Sequence, residues 1–557
     1  MSDSYDKSIL EDTLHDSAED DTNFDFINKK VLVYRDINQG SYTANTIDMD
    51  LGGAAGNNLY IDWLSAYLHI PMVLEITATA GIIGQSAQAI AEQVFAASFK
   101  NNHCNLINSM RIEMNNNELV GTKNFNNLMC QYDMLSSYSL DAVDNYGSVL
   151  NFSKLSPESQ SFNATIGQSG LGSVNTSINE AVFDTSANPY DLANKGRRDR
   201  MKTTSFYPGS TANAEMLPAN YLSDTARDGV VISEADKIVY QVMAKIPMAQ
   251  LHPWFEKVGM VRNSNYRMIF NTNINSTATL TIDSGGNLTK TEVSSPNQVL
   301  PFQLSPLNAG LPVKAGTAGT IVAKLSIVKG ANHSHPITQC TMNLPMYQMK
   351  PALEDKYLSQ RVKKVVFKDY TVFSGGNFQG IGPSGLVNTH LTNGLNQIRK
   401  IIIMPFYSQN RGTVVDGNGT DYSVMNSPWA DEPSTLCSPY CPITDFNVQL
   451  GGVNIYPQDI KFGYQHFLHE IHNDDGSVTS GLNPGCSSGL INEETYATYP
   501  FVVVNIARKV ASQDFVTESI NLSFKNGGKR RVDYLVFVEH MRTVAVDKAT
   551  GLYMQST

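Results

Sequence analysis

The sequence predicts an all-β protein built from two tandem β modules, with short helices and long loop insertions. Hydrophobic residues make up 41% of the 557 residues and charged residues only 17%, which leaves enough apolar surface for large cores. Short runs rich in β-branched and aromatic residues recur along the chain, and loops rich in Asn, Ser, Thr and Gly separate them. Because the chain is too long for one ordinary core, we expect two large sandwiches.

The N-terminal residues 1–28 are predicted to form an acidic flexible arm. Residues 1–25 contain nine carboxylates and a single lysine, and such a composition cannot bury enough apolar surface to offset the entropy of ordering. Two interpretations stay open for this arm. It is either a solvated tail without a role or a segment that docks on a neighbouring subunit.

The first β module is predicted over residues 29–350. Its strand patterns include Pro71, which predicts an edge strand or a bulge at that point. Helix-forming residues at helical spacing predict a helix over residues 87–99. At about 151–230 the periodicity is lost in a Ser/Asn/Gly/Thr-rich sequence, which we interpret as a long, exposed loop excursion.

The second β module is predicted over residues 361–550, after a linker at 351–360 and before a tail at 551–557. Its best patterned stretch, residues 443–548, changes from alternating to helical spacing and back. The helical spacing follows a proline and predicts a helix at 457–471. The expected apolar face of this helix consists of Ile460, Tyr464, Phe467, Leu468 and Ile471.

The overall charge and the cysteine pattern argue against several classes of protein. The net charge of −11 is unsuited to a surface that wraps nucleic acid, which needs an excess of Lys and Arg. We expect neither a signal peptide nor a membrane span, because the sequence shows no basic and apolar leader and no long apolar run. Scattered cysteines indicate incidental thiols of a protein made in a reducing compartment. They are Cys104, Cys130, Cys340, Cys437, Cys441 and Cys486.

The sequence GCSSG at residues 485–489 matches the G-x-S-x-G pattern, which exposes a nucleophilic serine at a sharp turn between a strand and a helix. The flanking residues lack both the hydrophobic strand and the long helix that this turn requires. We therefore interpret Ser487 as part of a loop of small residues. No catalytic residue is predicted.

A histidine repeat on the predicted helix is a candidate for a metal site. His466 and His469 lie three residues apart, close enough on a helix to share a cation, whereas His472 has moved around the helix. Glu470 points to a different face, and the cysteine pair at 437–441 has no second pair to complete a zinc site. We predict no metal ligand, no cofactor-binding residue and no cofactor.

Two basic clusters are candidates for contact with packaged nucleic acid or an acidic partner, with a solvated loop as the alternative interpretation. The first cluster lies in the polar excursion, and the second flanks a Gly-Gly hairpin turn. The first consists of Lys195, Arg197, Arg198, Arg200 and Lys202, and the second of Lys525, Lys529, Arg530 and Arg531.

Six stretches, taken in order, resemble a known family. They are FAASFKNNHCNLINSMRIEMNNNELV (95–120), SYSLDAVDNYGSVLNF (137–152), KIPMAQLHPWFEKVGMVRNSNYRMIFNTN (245–273), MYQMKPALEDKYLS (346–359), ITDFNVQLGGVNIYPQDIKFGYQHFLHEI (443–471) and VDYLVFVEHMR (532–542). The ordered set resembles the major capsid proteins of the double jelly-roll lineage, and most of all those of Polinton, adintovirus and Polinton-like virus elements. The resemblance extends from about Asn45 to Gly551 and departs at the acidic arm and in the polar excursion.

The resemblance implies two tandem eight-stranded jelly rolls. It also implies a homotrimer with a six-fold-like outline and an icosahedral shell of such capsomers around double-stranded DNA. Neighbouring capsomers, penton proteins and minor capsid proteins are the implied partners, and contact with packaged DNA is weak and non-specific at most. The implied location is the virion, after synthesis in the host cell cytoplasm.

A tandem β-sandwich protein that binds or hydrolyses glycans is the alternative. Such proteins also carry aromatic loops, and hydrolysis requires two carboxylates paired in space. The nearest candidate is WADEP at residues 429–433, where Trp429 precedes Asp431 and Glu432. Since the sequence does not pair these carboxylates, we favour the structural function.

Overall fold

The structure is a computed structural model that describes strands of both predicted modules and the helices around them. The described residues are 26–38, Tyr42, 45–52, 59–78, 95–99, 102–150, 205–206, 237–282, 288–293, 301–306, 319–327, 339–391, Leu395, 397–407, 443–474, Ile491, 493–496, 501–506, 519–528, 531–551 and 553–555. The arm up to residue 25, and the polar excursion apart from residues 205–206, lie outside them.

The described elements are mostly strands. Those of the first half are β1 (Phe26–Arg35), β2 (Thr46–Asp50), β3 (Tyr60–Asp62), β4 (Tyr67–Ala78), β5 (Phe95–Phe99), β6 (Ile107–Met114), β7 (Asn117–Lys123), β8 (Ser205–Phe206), β9 (Lys237–Pro247), β10 (Met260–Arg262), β11 (Tyr266–Thr272), β12 (Thr277–Ile282), β13 (Leu288–Val293), β14 (Phe302–Pro306), β15 (Gly319–Ile327) and β16 (Thr341–Met349). Those of the second half are β17 (Val362–Phe373), β18 (Leu386–His390), β19 (Ile398–Tyr407), β20 (Ile443–Leu450), β21 (Val453–Asn454), β22 (Val502–Asn505), β23 (Ile520–Asn526), β24 (Val532–Asp547) and β25 (Tyr553–Gln555).

Short helices connect the strands. The α-helices are α1 (Asn126–Ser137), α2 (Leu140–Leu150), α3 (Met248–Leu251), α4 (Pro253–Lys257), α5 (Pro351–Leu358), α6 (Tyr464–Asp474) and α7 (Glu493–Tyr496), and a 3₁₀ turn spans His103–Leu106. The predicted linker is thus largely the helix α5. Its first residue is a proline, which loses no hydrogen bond there because the first N–H groups of a helix have no partner within the helix.

The first half of the chain folds into a jelly roll. Its eight main strands, in chain order, are β1, β2, β4, β6, β7, β9, β11 and β16. They pair antiparallel, first with eighth, second with seventh, third with sixth and fourth with fifth. Pairing of β16 with β4 and of β11 with β6 joins these pairs into two facing sheets. A long antiparallel hairpin wrapped into a sandwich has this strand order, and the order defines a jelly roll.

The second half repeats the same strand order with β17 to β24. First pairs with eighth, second with seventh, third with sixth and fourth with fifth, again antiparallel. Pairing of β24 with β19 and of β23 with β20 joins the pairs into two sheets. The predicted fold, two tandem eight-stranded jelly rolls, is therefore confirmed by the strand pairing of this chain.

Each roll encloses an apolar core between its two sheets. Ile47 and Leu68 are fully buried in the first core, as are Ile402 and Phe446 in the second. Side chains of a strand point alternately to its two faces, so apolar residues at every second position of facing sheets fill the space between them. This is the alternating pattern from which strands were predicted.

Pro71 lies inside β4, and the prediction of an edge strand or a bulge at this proline was wrong. β4 pairs with β9 along one side, from Tyr67 to Thr77. On its other side β4 pairs with β16 up to His69 and with β15 from Met72 onward. Pro71 falls in the gap between these two neighbours, where its missing N–H breaks no ladder hydrogen bond.

The described end of the helix predicted over 87–99 is a strand. Phe95–Phe99 forms β5, which pairs antiparallel with β14, and residues 87–94 lie outside the described residues. Alanine favours a helix by a few tenths of a kcal/mol per residue, and pairing with β14 together with burial of Phe302 outweighs that preference.

The helix predicted at 457–471 forms as α6 but begins later, at Tyr464. The backbones of Ile460 and Phe446 exchange two hydrogen bonds, of 2.9 and 3.1 Å, which hold Ile460 against β20 and keep it out of the helix. Phe467 is fully buried, and Tyr464 and Ile471 pack against the second core from one face of α6.

Candidate functional site at the junction of the two rolls

Several candidate residues from the sequence lie outside the described residues. These are Ser487, the cysteine pair at 437–441, the stretch 429–433 and the whole first basic cluster. Of the second basic cluster, Lys529 and Arg530 also lie outside, while Lys525 and Arg531 are described and exposed.

Lys525 belongs to an ordinary surface ion pair. Its Nζ lies 2.7 Å from the carboxylate of Asp445 on the neighbouring strand β20, and both side chains are about half exposed. Water screens such a pair, so it adds little to stability. The described part of the second basic cluster is therefore consistent with the solvated-loop interpretation.

The histidines of α6 have separate surroundings. The ring of His466 packs 5.7 Å from the ring of Phe462, whereas His469 is exposed. Within the described part of the chain, no group of three or more His, Cys, Asp or Glu side chains is arranged to hold a metal ion.

Glu470 fixes α6 to the second roll. This carboxylate is buried and accepts hydrogen bonds of 2.9 Å from the hydroxyl of Tyr456 and from the backbone N–H of Asn505 on β22. The sequence predicted only that Glu470 points away from the histidines. Its two donors come from other elements, and no local pattern indicates them.

The two rolls meet at β17, the first strand of the second roll, which contacts helices of the first roll. On one face, the ring of Phe367 packs 5.3 Å from Trp254 and 5.6 Å from His252. From the other face, the hydroxyl of Tyr370 donates a 2.9 Å hydrogen bond to Asn126 of α1. Phe367 belongs to the core of the first roll and Tyr370 to that of the second, so this one strand contributes to both cores.

The turn between α3 and α4 places His252 beside β17. Its Nδ1 accepts a 3.2 Å hydrogen bond from the backbone N–H of Trp254 and caps α4, and Pro253 occupies the first helical position. Since Nδ1 accepts, the neutral ring carries its hydrogen on Nε2, which lies 3.7 Å from Asp369 Oδ1. Burial lowers the pKa of His252, although the Asp369 carboxylate opposes this effect.

Asp369 is the central charge of the junction. Its buried carboxylate lies 2.7 Å from Lys123 Nζ at the end of β7 and 3.5 Å from the guanidinium of Arg542 on β24. Lys123 also donates a 2.8 Å hydrogen bond to the backbone oxygen of Tyr370. Burial alone would raise the pKa of Asp369, but contact with His252 and the charge of Lys123 outweigh it and hold this pKa well below its usual range.

A second cluster of charged side chains lies where α1 packs near the sheet that contains β17, β19 and β24. Glu539 on β24 lies 3.6 Å from Lys400 and 4.0 Å from Lys368, and Lys400 Nζ lies 5.8 Å from the ring centre of Tyr132. Asp133 of α1 faces this group. Partial burial, and next the charge of Glu539, raise the pKa of Asp133 to about 6 against the opposing charges of the two lysines.

We expect Asp133→Asn to stabilise the protein at pH 8 by about 1 kcal/mol. The raised pKa means that the folded protein favours protonated Asp133, so stability is lost as the pH rises from about 4 through about 6. Asp133→Asn removes this loss of stability at high pH, so the variant and the wild type should be equally stable at pH 4. Urea unfolding at both pH values measures the difference in their free energies of unfolding. The same change at exposed Asp355 should give no pH-dependent difference, and equal effects at the two positions would contradict the prediction.

The linker helix α5 is held to the first roll by Glu354 and Tyr357. Glu354 forms an ion pair with Arg262 and accepts a 3.0 Å hydrogen bond from the hydroxyl of Tyr60. The hydroxyl of Tyr357 donates a 2.6 Å hydrogen bond to the backbone oxygen of Met260. The linker therefore packs on β3 and β10 and is not a free hinge.

The turn after β24 attaches the end of the second roll to the first. Asn263 donates a 3.0 Å hydrogen bond to the backbone oxygen of Ala549, and Asn115 donates one of 2.5 Å to that of Gly551. Asp547 accepts backbone hydrogen bonds of 2.9 Å from Ala549 and 3.2 Å from Thr550, which close the turn. Burial would raise the pKa of Asp547, and these donors hold it below its usual value.

We expect Gly551→Ala to cost about 2–4 kcal/mol. Gly551 has a φ of +64°, and a Cβ there would lie 2.8 Å from the backbone oxygen of Arg262 and closer still to Ser264. Gly452 also has a positive φ, +84°, but has no atom within 4 Å of its Cβ position. Gly452→Ala should therefore cost only the backbone strain, about 1–2 kcal/mol. Urea unfolding compares the two variants, and equal losses would show that the turn does not pack as described.

Residues of the junction are far apart in sequence. Lys123, His252 and Asp369 come from three separate parts of the chain, and none of the three stands out in its local sequence. No local motif in the sequence indicates them. The one weak signal is that Asp369 occupies the alternating position of β17 that follows the apolar residues Val365 and Phe367.

Among the described residues, no helix is long and apolar enough to cross a lipid bilayer.

Comparisons with known proteins gave likenesses among solved structures alone. No family model and no curated protein matches the sequence. The chain is similar to a chain of the Sputnik virophage structure determined by cryo-electron microscopy, with 9% identity and a TM-score of 0.46, over 97% of this chain and 91% of that chain. It is similar to the mavirus major capsid protein, with 9% identity and a TM-score of 0.45, over 97% and 91%.

The Faustovirus major capsid protein is also similar, with 9% identity and a TM-score of 0.43, over 94% of this chain and 91% of that chain. The double jelly-roll fold itself is established by the strand pairing of this chain.

Proposed function

We propose that the protein is a major capsid protein that trimerises into pseudo-hexameric capsomers and self-assembles into an icosahedral shell around a double-stranded DNA genome. The observation that carries the proposal is the repetition of one jelly-roll strand order in two rolls of a single chain. Three copies around a three-fold axis bring six similar rolls together, so a trimer acquires a nearly six-fold outline. The ordered sequence stretches that resemble capsid proteins support the same function.

The junction between the rolls supports a structural role. Separate domains usually move relative to one another unless their interface is large and apolar. Here β17 packs against Trp254 of α4 and bonds to Asn126 of α1, and Phe367 joins the core of the first roll. A shell subunit needs this property, because each copy has to present the same rigid outline to its neighbours.

The proposal includes the domain organisation. The proposed segments are residues 1–28 for the arm, 29–350 for the first roll, 351–360 for the linker, 361–550 for the second roll and 551–557 for the tail. Strands β1 and β25 extend the first roll back to Phe26 and the second roll forward to Gln555. We place the protein in the virion and assign it no enzymatic activity and no cofactor. Its partners are neighbouring capsomers, penton proteins and minor capsid proteins, with at most weak contact with packaged DNA.

Size-exclusion chromatography with light scattering, followed by electron microscopy of the same fractions, tests the function. We expect a species with three times the mass of the chain, and shell-like particles at higher concentration. A stable monomer would contradict the proposal. Binding or cleavage of glycans by that monomer would favour the tandem β-sandwich alternative.

A further inference from the structure

The outer face of β1 exposes apolar side chains to solvent. Ile27, Val31 and Val33 are 59%, 52% and 57% exposed. Leu32 and Tyr34 point to the opposite face of the strand and pack against the first core. Because side chains of a strand alternate between faces, Val31 and Val33 share one face, and none of the other described residues covers it. Ile27 lies at an irregularity of the pairing between Phe26 and Asn28, so alternation does not place it on this face.

One edge of β1 is also open. Among the described residues its sheet neighbour is β16 alone, with which it pairs from Phe26 to Arg35. The second edge of such a strand presents N–H and C=O groups that can pair with an incoming strand. Main-chain pairing gives affinity in contacts of this kind, and the side chains on each face give specificity.

Basic residues are interleaved with the apolar ones on this face. Lys29 precedes Val31 by two positions and Arg35 follows Val33 by two, and both basic side chains are exposed. Side chains that face each other across two paired strands attract when one is basic and the other acidic. A strand that fits this face therefore alternates apolar with acidic residues.

The acidic arm contains that alternation. Leu10, Asp12, Leu14 and Asp16 are spaced by two residues, so they share one face when the segment is extended. An antiparallel register brings the two alternating patterns into agreement at two successive positions of the regular part of β1. The pairs on the shared face are then Asp12 with Lys29 and Leu10 with Val31.

We propose that residues 10–16 of one copy add as an antiparallel strand to β1 of a neighbouring copy. Residues 17–25, which connect this segment to β1, hold four carboxylates and neither Gly nor Pro. Like charges extend such a connection, and nine extended residues reach about 30 Å, far enough for an adjacent subunit. Without turn residues, a hairpin within one copy is disfavoured. This proposal rests on the proposed assembly of copies and identifies one contact between neighbouring copies.

Cross-linking between two differently tagged full-length copies tests the contact. One copy carries Leu10→Cys and the other Val31→Cys, and oxidised glutathione is added to the mixture. We expect a disulfide-linked dimer that contains both tags. Val453→Cys replaces Val31→Cys in the control, because Val453 is also an exposed apolar strand residue but lies on β21 of the second roll. The control should give little of this dimer.

Charge reversal tests the predicted register. Adding Lys29→Glu to the Val31→Cys copy should slow formation of the mixed dimer about fivefold, and adding Asp12→Lys to the Leu10→Cys copy should restore the rate. Failure of this rescue would overturn the register.

Two outcomes would overturn the exchange itself. One is a mixed dimer that forms equally fast with the Val453→Cys control. The other is a cross-link confined to single chains when one copy carries both Leu10→Cys and Val31→Cys. Cross-linking needs only two copies, so a protein that exchanges arms but forms no shell would refute the capsid function and leave this contact intact.

Discussion

Replacing Asp369 with asparagine is expected to destabilise the protein by about 3 kcal/mol, because it removes one partner of a buried ion pair. Lys123 would keep its charge in a site where its side chain is only 13% exposed. His252 would also lose the carboxylate that faces its Nε2. Urea unfolding followed by tryptophan fluorescence measures the loss, since Trp254 lies within the junction.

The same variant has an expected pH dependence. The pKa of Asp369 is held below its usual range in the folded protein, so its stabilising contribution is present above the ordinary carboxyl pKa of about 4 and declines as the pH falls below it. The difference between wild type and Asp369→Asn should therefore shrink in acid. A difference that stays constant from pH 7 down to pH 3 would contradict the assignment.

Asp445→Asn is the matched control for this variant. It breaks the ion pair with Lys525, which has a similar distance of 2.7 Å but lies at the surface of the second roll. We expect no measurable change in the unfolding midpoint, because water screens the pair. A loss as large as that of Asp369→Asn would show that burial is not the cause.

Replacing Phe367 with alanine is expected to cost about 3–5 kcal/mol, the range for deleting a buried aromatic side chain. Phe367 is 1% exposed, and its ring contacts Trp254 and His252 of the first roll although it belongs to a strand of the second. The cavity would open between the rolls. Urea unfolding measures the cost, and limited proteolysis should show faster cleavage between the rolls.

Val366→Ala is the control for the loss at Phe367. Val366 is the preceding residue of β17 and points to the opposite face, where it is 40% exposed. Its truncation removes little buried surface, so we expect a change within about 0.5 kcal/mol. Equal losses at the two positions would mean that the strand itself, and not its contact with the first roll, is sensitive.

Some sequence-based predictions failed where tertiary contacts outweigh local preference. The alanine-rich sequence before Phe99 has helical spacing, yet its described end is a strand because β14 supplies a pairing partner. Pro71 lies inside a sheet because two different strands share one side of β4 and leave a gap between them. Neither partner is close in sequence, so no local pattern could have indicated the result.

The sequence by itself determined the all-β class and most of its strands, since alternation of apolar and polar residues is a local and periodic signal. Only the tertiary structure decided how the two rolls are joined. Asp369 meets Lys123 and His252 through strand pairings that span most of the chain, and the low pKa of Asp369 exists only once those charges are close. Charge interactions depend on distance in space, which a sequence does not contain.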